Sequence, residues 1–111
     1  MGQQGWSPRW FLGNNVTSVS AAGTTQATAT TLTGDWAKVS TVGAGAGVVL
    51  VEVPFPSPKG VMNAAVANEL RVYPWSGAAF NGRTANDPLV LPVGRAAFFI
   101  CLSSTDIFAI F

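Results

Sequence analysis

From residue 16 onward the chain reads as strands, and no stretch carries the 3.6-residue apolar repeat of an amphipathic helix. Residues 36–42 (WAKVSTV) alternate apolar and polar positions, and 16–20 (VTSVS) form a short β-prone run. Residues 25–33 alternate Ala and Thr in part, which gives one small apolar face and one hydroxylated face. Residues 48–53 are apolar on both faces except at Glu52. Further strands are predicted at 61–66, 70–73, 89–93, 96–103 and 106–111.

The segments between them carry turn chemistry. Gly34-Asp35, the glycines at 43, 45 and 47, Pro74 with Gly77, Asn81-Gly82 and Asn86-Asp87-Pro88 all punctuate the pattern. Asn81-Gly82 is the strongest short hairpin signal, because both positions tolerate positive φ. Pro54, Pro56 and Pro58 end the 48–53 strand and force an extended connection. Turn signals recur roughly every 8–12 residues, the spacing of a sandwich or barrel. The expected fold is all-β: eight or nine strands in an antiparallel β-sandwich, of jelly-roll or Greek-key type, spanning residues 16–111.

Residues 1–15 break this pattern. Glycines, Pro8 and the Asn14-Asn15 pair interrupt them, yet Trp6, Trp10, Phe11 and Leu12 are concentrated there. An irregular segment this short cannot bury such side chains alone, so it reads as an N-terminal arm that docks elsewhere. These four residues are the candidate partner-binding set.

Composition narrows the chemistry. The 111 residues hold six Lys+Arg, five Asp+Glu, one Cys and no His. Charged residues are 10% of the chain, against about 25% in an ordinary soluble domain. Apolar residues are 49%, and the mean hydropathy is +0.36. So few charges on a domain of this size suggest a surface covered by copies of itself or by other subunits. The longest apolar run is far shorter than the roughly 20 residues of a spanning helix, so no membrane partner is expected. The first six residues lack the basic and apolar regions of a secretory signal, which suggests synthesis in a reducing cytoplasm.

Without His there is no Ser-His-Asp triad and no His-ligated metal, and one Cys forms no thiolate cluster. No metal and no cofactor are expected. Gly43, Gly45 and Gly47 mimic a phosphate loop, but a strand pattern follows where a helix N-terminus is required. Asp35, Glu52, Glu69, Asp87 and Asp106 offer no local pair for acid–base catalysis, so no enzyme activity is expected. Arg9, Lys38, Lys59, Arg71, Arg83 and Arg95 do not cluster, which argues against a nucleic-acid partner. Cys101 lies among apolar neighbours and reads as a small buried hydrophobe. Asn15-Val16-Thr17 matches a glycosylation pattern but reads as a turn and strand start.

Several segments together carry a family resemblance. They are the Thr/Ala-rich stretch 24–33, Gly-Val-Val-Leu at 47–50, Val72-Tyr73-Pro74 with Ser76-Gly77, Asn81-Gly82, Ala85-Asn86, Gly94 and the turn at 103–105. Across residues 21–110 the chain resembles a small β domain of tailed-bacteriophage virion proteins, found in capsid decoration and tail-fibre proteins. The proline-rich 53–58 segment, the Asn63-Ala64-Ala65-Val66-Ala67 stretch and the aromatic arm depart from that pattern. The resemblance implies a capsid decoration or cement protein on the outer surface of the virion capsid. Such a protein would be a homotrimer contacting the major capsid protein, and with the low charge count this favours Trp6, Trp10, Phe11 and Leu12 as a clasp onto a neighbour over docking on their own core. The alternative is a tail-fibre or tail-adaptor module binding host glycan or another tail protein, with Tyr73, Trp75 or Trp36 as its stacking platform.

Overall fold

A computed structural model describes residues 16–53 and 57–111; the arm residues Trp6, Trp10, Phe11 and Leu12 lie outside them. The described chain is all-β. Its ten strands are β1 (Val16–Ser20), β2 (Thr30–Leu32), β3 (Trp36–Thr41), β4 (Gly47–Leu50), β5 (Ser57–Asn63), β6 (Leu70–Tyr73), β7 (Ala79–Phe80), β8 (Leu89–Leu91), β9 (Ala96–Cys101) and β10 (Asp106–Ile110). One sheet has six strands in the order β1-β3-β5-β9-β10-β7, and the other has four in the order β2-β4-β6-β8.

The antiparallel jelly-roll or Greek-key expectation does not match this topology. Of eight strand pairings among the described residues, five are parallel. The first six strands alternate between the sheets, so β1/β2, β3/β4 and β5/β6 form successive coils of a β-solenoid-like arrangement. Parallel neighbours need a crossover between them. Here the intervening strand of the other sheet supplies it, in place of the usual helix. The chain then reverses. β8 pairs antiparallel with β6, β9 pairs antiparallel with β5, and β10 returns beside β9 with β7 parallel at its far side.

The inner faces of both sheets feed one core. Val39, Phe99, Phe80 and Ile107 from the larger sheet belong to the same buried cluster as Val48, Leu50, Leu70 and Val72 from the smaller. The Phe80 and Phe99 rings lie 5.3 Å apart. Asn63 is fully buried at the end of β5, where its amide nitrogen donates to the carbonyls of Leu91 (3.0 Å) and Asn68 (3.1 Å). Its side-chain oxygen accepts from the Ala65 N–H at 3.2 Å, so the amide is satisfied while joining β5 to β8.

Three local expectations shift. The predicted 25–33 strand shrinks to β2, because the Thr25 and Thr28 hydroxyls and backbones bond each other in a turn. The strand expected at 61–66 begins earlier, and Pro58 lies inside β5. Pro58 is tolerated because β3 starts opposite Gly60, leaving no β3 residue beside the proline. Asn81 and Gly82 do take positive φ, and the Arg83 N–H closes the turn onto the Phe80 carbonyl at 2.8 Å. No return strand follows. The Asn81 side chain instead brackets Ala109 of β10, accepting from its N–H (2.8 Å) and donating to its carbonyl (3.0 Å).

Candidate functional site

Strand alternation leaves one further set of side chains on the six-stranded sheet, pointing away from the core. Inward positions such as Ala37, Val39, Val61, Ala97, Phe99, Ile107 and Ala109 are buried. Their neighbours face outward, and they are apolar too. Val16 (66% exposed), Met62 (45%), Phe98 (51%), Ile100 (37%), Phe108 (46%) and Ile110 (52%) all lie on this side. The register sets them in contiguous rows: Val16, Trp36, Gly60, Phe98 and Ile110 form one, and Pro58, Ile100 and Phe108 the next.

Trp36 shapes one end of the face. Its ring lies across Gly60, so close that a Cβ at that position would overlap ring carbons. The same ring meets Phe98 edge-on, with centroids 5.8 Å apart and planes at 74°. Around them, Val16, Met62 and Ala96 complete a shallow, almost wholly apolar groove of about 560 Å³. At the outward strand positions among the described residues, the charges are Lys38 on β3 and Asp106 on β10.

The other candidates fall elsewhere. Tyr73 and Trp75, expected as parts of a glycan platform, are each only 6% exposed. The Tyr73 hydroxyl donates to the Thr24 carbonyl (3.2 Å) and the Trp75 indole N–H to the Ser104 carbonyl (2.8 Å), so both are built into the domain. Trp36 alone of the three reaches the surface, within the apolar face. Residues 43–46 form a turn closed from the Ala46 N–H to the Gly43 carbonyl, and β4 follows, as expected of a loop. Cys101 is fully buried, and burial raises its thiol pKa, opposed in part by the nearby Lys59 charge.

Among the carboxylates, Asp35 pairs with the Lys59 ammonium at 3.4 Å. Glu52, Glu69, Asp87 and Asp106 are exposed. Among the described residues, no three His, Cys, Asp or Glu side chains come together as metal ligands. Lys59 was not singled out in the sequence. It points inward from β5, 5% exposed, and also donates to the Gly34 carbonyl at 3.1 Å. The alternation that marks the outer face is present in the sequence, since Phe98/Ile100 and Phe108/Ile110 interleave with Phe99/Cys101 and Ile107/Ala109. Strands apolar at both parities are the usual pattern of sheets covered on both faces.

No protein-family model, no curated protein and no solved structure matches the chain.

Proposed function

We propose that this chain is a non-enzymatic structural protein of a tailed-phage virion, a capsid decoration or cement protein on the outer surface of the shell. The observation that carries the proposal is the apolar outer face of the six-stranded sheet. Its half-exposed side chains present roughly 450–750 Å² of apolar surface, judged from the 150–250 Å² that a large side chain offers. Monomeric proteins rarely leave more than about 300–600 Å² of contiguous apolar surface bare, and larger patches mark interaction sites. The 10% charge content supports the same reading, and the likeness to virion β domains names the assembly. We class the fold as a two-layer sandwich wound from solenoid-like coils.

The action is mechanical. Each contact buries apolar area, and repetition over a lattice turns modest individual affinities into firm attachment. Two surfaces serve such a role. One is the apolar sheet face, and the other is the aromatic set Trp6, Trp10, Phe11 and Leu12, whose contact is with the shell or a neighbouring copy.

The test is stoichiometry. Purified particles are digested, and this chain is quantified by mass spectrometry against the major shell subunit. A copy number comparable to the shell subunit is expected. A handful of copies per particle would move the protein to the tail, and absence from particles would overturn the proposal.

A further inference from the structure

We infer that the outer face of the six-stranded sheet is a self-contact: a second copy of this chain packs against it face to face about a two-fold axis. The inference rests on reading this face as an assembly surface, and it names the partner.

Two observations carry it. The first is charge placement. Lys38 and Asp106 are the charged residues at outward strand positions among the described residues, and both are exposed. They sit at diagonally opposite corners of the apolar field. Lys38 is aligned through Met62 with Ala96 at the start of β9, whereas Asp106 lies beside Leu102, just past the end of β9. The separation is three strand spacings, roughly 14 Å, in one direction and six residues, roughly 20 Å, in the other. Neither takes part in a salt bridge among the described residues.

A two-fold axis in the contact plane, perpendicular to the line joining these corners, sets Lys38 of each copy against Asp106 of the other. One positive and one negative corner thereby make two ion pairs, with the apolar rows between them. The axis then lies roughly 55° from the strands, so the strands of the two copies cross at roughly 70°, close to the orthogonal class of sheet packing.

The second observation is area. Two such faces bury roughly 900–1,500 Å² in total, which reaches the range of stable, specific interfaces that begins near 1,200 Å². The interface has an apolar centre rich in Phe and Ile and a charged rim, the usual anatomy of such contacts.

The experiment is sedimentation equilibrium of the full chain and three variants. The wild type is expected at twice the 11.5 kDa of one chain. Lys38→Asp and Asp106→Lys each place like charges together at both corners and raise the dimer dissociation constant about tenfold. The double reversal, Lys38→Asp with Asp106→Lys, restores opposite signs and returns the constant to within about threefold of wild type. Asp106→Lys also loses a weak 3.4 Å contact with the Ser103 hydroxyl, so thermal melts accompany each variant. A wild-type monomer, a wild-type trimer, or a double variant no tighter than the singles would overturn the inference. Copy number in particles is independent of this result. A virion protein that is not a dimer keeps its proposed function, and a dimer absent from particles keeps this contact.

Discussion

A glycine and a tryptophan 24 residues apart in sequence set the relief of the outer face. Trp36 and Gly60 are register partners, and the indole lies across the glycine because no Cβ stands in the way. That position lets the ring edge reach Phe98. Gly60→Ala is therefore expected to lift the ring off the strand. The cost is about 1–3 kcal/mol of folding stability, the usual range for overpacking, with a red shift of tryptophan emission as the ring enters water. Denaturant titration followed by fluorescence measures both, and an unshifted spectrum with unchanged stability would contradict the packing. Trp36 was legible in the sequence as a large surface candidate, but Gly60 was not. Nothing local in the sequence says which residue will lie beside a tryptophan on the next coil. Cys101 was legible because its chain neighbours are apolar, and its burial follows directly.

Strands were legible from alternation in β3 and β6, and from largely apolar runs between turn signals in β9 and β10. The failures have local causes. Thr hydroxyls between 25 and 28 satisfy the backbone in a turn, so high β-propensity there does not become a strand. Pro58 reads as a breaker, yet one flank of its position lacks a paired strand. Asn63 falls inside the predicted 61–66 strand, where nothing marks it as the polar joint between the two sheets that it proves to be. Asn63→Ala would leave the Leu91 and Asn68 carbonyls and the Ala65 N–H without this partner. We expect a loss of about 2–4 kcal/mol in chemical denaturation, more than a surface substitution costs. A loss under about 0.5 kcal/mol would show that the joint carries no weight.

At the scale of the whole molecule, the all-β class was legible and the topology was not. Period-two alternation is the same for parallel and antiparallel neighbours, and short links suggested hairpins. The coils escape notice because few register partners match: Val19/Val39, Leu32/Leu50 and Val48/Val72 do, but Val16, Trp36 and Gly60 share no residue type. The apolar outer face was half legible. Low charge predicted a covered surface, but only the register gathers Met62, Phe98, Ile100, Phe108 and Ile110 on one side. The expected clasp at Trp6, Trp10, Phe11 and Leu12 lies outside the described residues.

If a second copy covers this face, hydroxyl-radical footprinting of the chain registers the contact. The chain is labelled when concentrated and again after dilution, and oxidation is read residue by residue. Met62, Phe98 and Phe108 are expected to be shielded in the concentrated sample and labelled on dilution, while the fully exposed Val66 reacts alike in both. Equal labelling of those three side chains at both concentrations would contradict the self-contact.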